Sequence, residues 1–251
     1  MPILQPVRGT QDILPDKFRL HKMVSDLACE VAKRYAYQEI DTPIFEFTEI
    51  FARTLGESSD VVTKEMYTFL DKGGESITLR PEYTAGIMRM LISNGLKRDL
   101  PMRVFARGPM FRYERPQKGR QRQFHQINVE FLGVAEPKAD VEVISLAKHI
   151  LDELGLKEDV SLELNTLGDN VSRAVYREKL VEYFGDHYNQ LSKESIIRFK
   201  KNPLRILDSK AKEDRELILE APLFAHSLNE RSQEFFSKVK LFQKLFRLNN
   251  N

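Results

Sequence analysis

The densest chemistry in the sequence runs Phe111-Arg112-Tyr113-Glu114-Arg115-Pro116, then a short loop, then Arg120-Gln121-Arg122-Gln123-Phe124-His125-Gln126-Ile127-Asn128-Val129-Glu130. Side chains alternate faces along a strand, so Phe124, Gln126, Asn128 and Glu130 should share a polar face, with Ile127, Val129 and Phe131 on a core face. If the segment folds back about Gln117-Lys118, Arg112 lies nearly opposite Phe124 on the polar face. Arginine can grip a phosphate bidentately, and an aromatic ring can stack on a base. An amide and a carboxylate can orient an ammonium or a ring N–H. These are parts for holding a nucleotide beside a small cationic molecule. The plainer reading is a basic hairpin on a solvated face with Glu130 in a surface ion pair. His125 alternates away from the polar face and reads as a packed histidine rather than a base.

The elements that must position these groups follow from periodicity. Met102–Gly108, Met110–Arg115 and Gln121–Val134 alternate apolar with polar or basic residues, which predicts a long antiparallel hairpin. Leu20, Met23, Val24, Leu27, Ala28, Val31 and Tyr35 mark an amphipathic helix over Asp16–Tyr37, with Cys29 on its buried stripe. Gln38–Phe47 is β-prone around Thr42-Pro43. Glu65–Leu70 and Ser76–Arg80 flank Asp71-Lys72-Gly73-Gly74, a second hairpin. Pro81 opens a helix that runs to Asn94-Gly95, Pro137–Leu154 is another, and Val160, Leu162 and Leu164 suggest one more strand. Strands and helices mix without a βαβ rhythm, so the expected class is α+β, an antiparallel sheet flanked by helices. From Gly168 the sequence turns charged and helical, with a break at Asn202-Pro203-Leu204 and a helix over Phe235–Phe246. The expected division is 1–167 and 168–251, the second part a helical insertion.

At 251 residues with 41% hydrophobic and 30% charged residues, the chain has enough apolar material for a core and too little polar bias for wholesale disorder. Cys29 is the single cysteine, so an internal disulfide and a thiolate zinc cluster are excluded. No apolar run approaches a membrane-spanning length, and the first residues lack the pattern of a signal peptide, so the expected address is cytoplasmic. Neither GxGxxG nor GxxxxGK[ST] occurs. The formal net charge is only +2, yet residues 103–122 hold seven Arg/Lys against one Glu. Such a local excess on an otherwise mildly acidic chain reads as a localised anion site.

Over nearly its whole length the sequence resembles the N-terminal part of a histidyl-tRNA synthetase, a class II aminoacyl-tRNA synthetase. Phe111-Arg112-Tyr113-Glu114 is similar to motif 2. Its histidine-specific continuation resembles Arg115-Pro116-Gln117-Lys118-Gly119-Arg120 and Arg122-Gln123-Phe124-His125-Gln126. Thr42-Pro43-Ile44-Phe45-Glu46 looks like motif 1, the dimer-forming segment. Leu79-Arg80-Pro81-Glu82-Tyr83-Thr84-Ala85 is similar to the substrate-binding stretch, with Tyr83 where Gly or Asn is more familiar. Val7-Arg8-Gly9-Thr10-Gln11-Asp12 resembles the N-terminal signature, and Asn202–Asp208 the helical insertion.

The resemblance implies ATP-dependent activation of histidine to histidyl-adenylate, with transfer to tRNA(His). Arg112 would be the catalytic arginine on the α-phosphate. Glu114 would meet the adenine amino group, Phe124 the ring and Arg120 the outer phosphates. Glu82, Thr84 and Gln126 would bind the α-ammonium of histidine, and Glu130 its imidazole. Arg115, Gln117, Lys118 and Arg122 would approach the tRNA acceptor end. Magnesium would accompany ATP, with no protein-bound metal, and the protein would be a cytoplasmic homodimer. Strings resembling Arg-Gly-Leu-Asp-Tyr-Tyr, motif 3 and an anticodon-binding domain do not occur. The resemblance is therefore to a C-terminally truncated member, impaired or inactive as it stands. The competing reading is a synthetase-like regulatory subunit of ATP phosphoribosyltransferase.

Overall fold

The structure, a computed structural model, describes residues 3–56, 59 and 61–245. The chain divides into two compact units, Met1–Val160 and Ser161–Asn251.

The first unit is built on a ten-residue hairpin, β5 (Met102–Phe111) with β6 (Gln123–Leu132), antiparallel from Met102↔Leu132 to Phe111↔Gln123. β1 (Gln38–Glu39) adds to β5 in parallel at Val104 and Phe105. A second sheet has the order β2 (Phe45–Phe47), β4 (Ser76–Leu79), β3 (Tyr67–Leu70), all antiparallel. The β-prone segment 38–47 therefore serves two sheets. Pro43 lacks the N–H to extend a ladder, and the Thr42 carbonyl is taken by the Arg80 side chain at 2.5 Å. Pro109 is tolerated inside β5 because β1 pairs only at Val104 and Phe105, so no ladder runs along that side of the strand at 109.

Helix α1 (Pro15–Arg34) and α4 (Pro137–Glu153) cover one face of the hairpin. Cys29, Val31, Ala32, Tyr37, Phe105 and Leu146 form the core there. The expected stripe on α1 is only half realised: Ala28 and Val31 are buried, whereas Leu20 and Met23 are 60% and 53% exposed. α1 stops at Arg34 because Ala36 turns to φ +61. α2 (Thr48–Leu55) has no counterpart in the sequence reading; it buries Phe51 alone, too little for a recognisable stripe.

The second face of β5 packs on α3 (Thr84–Ser93), where Tyr83, Ile87, Leu91, Val104, Ala106 and Met110 form the core. α3 begins at Thr84, three residues later than Pro81 suggested. Glu82 explains the delay: its carboxylate accepts from Thr84 N–H at 2.5 Å and Ala85 N–H at 2.9 Å, satisfying the first orphan donors of the helix. The expected hairpin turn forms as read, with Asp71 Oδ1 accepting from Gly73 N–H and Glu75 N–H. The strand expected at Val160–Leu164 does not form. No described strand lies beside it, and a strand without a partner cannot pair its backbone groups.

The second unit is helical: α5 (Asn170–Asp186), α6 (Lys193–Lys201), α7 (Lys212–Glu220) and α8 (Glu230–Leu245). α8 starts earlier than the reading of Phe235–Phe246; Phe246 and the residues after it lie outside the described residues. Asn202-Pro203 breaks the chain as expected, into a tight turn over Pro203–Asp208. The core is Tyr176, Leu180, Phe184, Leu191, Ile206, Leu217 and Ala221. Asp214, fully buried, accepts from Ser192 N–H and from the hydroxyls of Ser192, Ser195 and Ser209 at 2.5–2.9 Å. That carboxylate ties the start of α6, the turn and α7 together.

Candidate functional site

The cross-strand register sets the site. Val104, Ala106, Gly108 and Met110 stand opposite Glu130, Asn128, Gln126 and Phe124, so these eight residues share one face. α3 covers the β5 half of it with apolar residues. The expected division of β6 holds, with Val129 and Phe131 packed against the core on its other face, while the shared face is itself split lengthwise, core along β5 and polar along β6. Within the polar half, Thr84 Oγ1 donates to Glu130 Oε1 at 2.6 Å, and Asn128 Nδ2 reaches the same oxygen at 3.1 Å. Burial pushes the Glu130 carboxyl above its ordinary range; the Thr84 bond opposes this and the nearby charge of Glu82 adds to it. Gln126 Oε1 is buried and has no hydrogen-bond partner. A buried acceptor without a donor is costly, and here it shares a strand face with the Glu130 carboxylate. The arrangement suits a ligand rich in N–H donors.

The loop end of the face is assembled around Arg112. Met110, not Arg112, stands opposite Phe124; Arg112 pairs with Arg122 through Arg112 N–H to Arg122 O at 2.9 Å. The shift arises in the loop, where Gln117 faces Arg120, leaving residues 113–116 on the first arm against Gln121 alone on the second. Pro116 has no N–H, and Tyr113 N–H goes to Glu65 O at 2.7 Å instead of across the hairpin. Arg112 still reaches Phe124 diagonally, its guanidinium 5.2 Å from the ring centroid. Its Nε donates to Pro81 O at 2.9 Å, which aims the remaining donors. Glu114 lies between two guanidinium groups, Arg120 at 3.1 Å and Arg112 at 3.9 Å.

Arg115, Gln117, Lys118 and Arg120 are exposed around the loop, whereas Arg122 is half-buried with its guanidinium 4.0 Å above the Tyr113 ring. The charge available is smaller than the sequence suggested. Arg103 is paired with Glu142, and Arg107 with Asp26 and Glu39, both on the opposite face. His125 also lies on that opposite face, its ring 5.3 Å from that of His21, and burial holds it below the usual histidine range.

Sequence reasoning missed what lies beneath the site. Arg80 is 2% exposed and donates to Asp41, Thr42 O, Pro109 O and Tyr83 Oη. Tyr83 is fully buried, and burial raises its hydroxyl to about 12. A Cβ on Gly108 would lie 2.6 Å from Tyr83 Oη and 2.7 Å from Arg80 Nη2, so glycine is required opposite Gln126. The tyrosine that departs from the familiar pattern is thus matched by a glycine in the next strand. Only the departure itself was a signal.

An antiparallel hairpin that packs on α3 and carries Arg112 beside Phe124, with Gln126 and Glu130 further along the same face, belongs to the aminoacyl-tRNA synthetase kind of fold. The sequence profile described as Histidyl-tRNA synthetase matches residues 9–182. A histidine–tRNA ligase of Gluconobacter oxydans is 56% identical over 237 residues, covering 94% of this chain and 57% of the relative. That of Rhodospirillum rubrum is 55% identical over 239 residues, covering 95% and 58%. Apo S. aureus histidyl-tRNA synthetase superposes with a TM-score of 0.75 at 35% identity, over 97% of this chain and 55% of that one. A Bacillus halodurans structure titled as an ATP phosphoribosyltransferase regulatory subunit/histidyl-tRNA synthetase shares the fold, with a TM-score of 0.60 at 23% identity. The chain belongs to the histidyl-tRNA synthetase family, and it spans a little over half the length of these curated relatives.

Proposed function

We propose that this chain carries the histidine- and ATP-binding surface of a histidine–tRNA ligase. The observation that carries the reading is the unpartnered Gln126 Oε1, buried on the same strand face as Glu130, whose carboxylate is bonded to Thr84. The α-ammonium of histidine supplies the missing donors to Gln126, Thr84 and Glu82. Glu130 accepts from the imidazole N–H, and an amino acid lacking that donor leaves the carboxylate unpaired. ATP lies along Phe124 and Arg112, with the adenine amino group at Glu114 and the outer phosphates at Arg120. Attack of the histidine carboxylate on the α-phosphorus expels pyrophosphate and gives the adenylate. Arg112 neutralises the charge that gathers on the α-phosphate oxygens. Magnesium arrives with the triphosphate as part of the substrate; among the described residues no cluster of His, Cys, Asp or Glu could hold a metal. Arg115, Gln117, Lys118 and Arg122 approach the tRNA(His) acceptor end, the first three being exposed.

The same reading makes the segment after Gly168 the helical insertion and the protein a cytoplasmic homodimer. Ile44, Phe45 and Phe47, exposed along and beside β2, support pairing through that region. No described helix is long and apolar enough to cross a membrane. The test is histidine-dependent ATP–pyrophosphate exchange with the 251-residue chain, alongside calorimetric binding of histidine and of magnesium–ATP. Saturable binding of both, with ATP binding lost in Arg112→Ala, is expected. Absence of binding for both ligands overturns the reading. Histidine binding with neither ATP binding nor exchange favours a histidine-sensing paralogue.

A further inference from the structure

The turn Val7–Thr10 has no part in the chemistry above, yet it meets the hairpin loop at its most crowded point. Val7 O accepts from Thr10 N–H at 2.8 Å and from Thr10 Oγ1 at 2.7 Å, closing the turn. Gly9 stands within it at φ +88, a backbone region that residues with a Cβ avoid. Its carbonyl accepts from Arg122 N–H at 2.7 Å and from Gln123 N–H at 3.5 Å. A Cβ on Gly9 would lie 2.7 Å from Arg122 Cγ, 2.9 Å from Arg122 Cδ and 3.0 Å from Pro116 Cγ. The backbone of residue 9 therefore packs directly on both arms of the loop.

From there the contacts pass inward. The Arg122 stem seated on Gly9 ends in a guanidinium over Tyr113, and Arg122 Nε donates to Glu114 O at 3.3 Å. With four residues on one arm facing one on the other, the loop cannot zip into a regular ladder that would fix Glu114. We infer that the Val7–Thr10 turn is a clasp that positions the loop from Arg112 to Gln123, with Gly9 as its positioning residue. The part of this inference that concerns ligands rests on the proposed function, in which the loop serves the nucleotide and tRNA while histidine binds elsewhere on the face.

Gly9→Val puts a branched side chain into occupied space at a disfavoured backbone angle. In the 251-residue chain, amide exchange over residues 112–123 should quicken roughly tenfold, while β4, α3 and the unit from Ser161 change less than about twofold, on the scale of local opening. Magnesium–ATP affinity should fall about tenfold with histidine affinity unchanged, a split that general destabilisation does not produce. Should Gly9→Val unfold the chain, Thr10→Val decides: it removes one hydroxyl bond from the turn and should quicken the same segment about two- to threefold. Unchanged loop exchange in the folded variant overturns the clasp. A wild-type chain that binds no ATP, with the exchange response intact, counts against the nucleotide reading and leaves the clasp standing.

Discussion

Two carboxylates, the fully buried Asp214 of one unit and the half-buried Glu130 of the other, are treated in opposite ways. Asp214 receives four hydrogen bonds from three serines. Burial alone would raise its carboxyl, but those bonds hold it below the ordinary range. Glu130 receives two, from Thr84 and Asn128, and burial leaves it above the ordinary range. The first is complete, so it belongs to the fold. The second is incomplete and stands on a face with an orphaned amide oxygen. Unmet hydrogen-bonding capacity inside a protein costs stability, and it persists where a ligand supplies what is missing.

The largest effect that could break this contrast is Asp214→Ala. It strands the Ser192, Ser195 and Ser209 donors in a buried site and should lower the unfolding free energy by about 3–4 kcal/mol, measured in urea. Asp214→Asn, which keeps an acceptor oxygen, should cost less than half of that. The linkage has a definite sign. Because the folded pKa is depressed, the stabilisation is full above the unfolded value near 3.8 and is lost as pH falls through the lower folded value. Exchange at Ser192 and Ser195, corrected for intrinsic rates, should therefore quicken on acidification below about pH 4. Glu130 runs the other way. Its raised folded pKa means that stability declines as pH rises from the unfolded value, near 4.5, to the folded one. An Asp214→Ala protein as stable as wild type would remove the distinction.

The sequence made much of this arrangement legible and left some of it hidden. Strand alternation placed Phe124, Gln126, Asn128 and Glu130 on one face, and that is where they lie. The same logic put Arg112 opposite Phe124 and missed by two residues, because an unequal loop resets register without altering periodicity. Counting charges over 103–122 overstated the anion site, since Arg103 and Arg107 pair with acids from distant α1, β1 and α4. Glu82 was read as a ligand for an ammonium, and it also caps α3, a role that depends on where the helix starts. The Arg80–Tyr83–Asp41 network joins segments some forty residues apart, so no local pattern could disclose it.

Glu130→Gln tests the second half of the contrast. The amide keeps the shape and removes a charge that burial disfavours, so stability should change by less than about 1 kcal/mol. Histidine affinity should weaken roughly 10–100-fold by calorimetry, because the imidazole N–H loses a charged acceptor. A large loss of stability with affinity intact would make Glu130 a structural carboxylate like Asp214.

Gln126→Leu should give the smallest and most telling change. Leucine fills a similar volume without the buried oxygen that now lacks a donor, so the empty protein should gain up to about 1 kcal/mol in urea unfolding. The same substitution deprives a bound ammonium of its acceptor, so histidine affinity should fall at least about tenfold. Stability and binding would thus move in opposite directions at one residue. A residue that only supports the fold moves them together: Gln126→Leu would then destabilise the protein, and binding would weaken in proportion to the unfolded fraction. Measuring both quantities on one preparation separates the cases, and a destabilised protein with native affinity per folded molecule would return Gln126 to the fold.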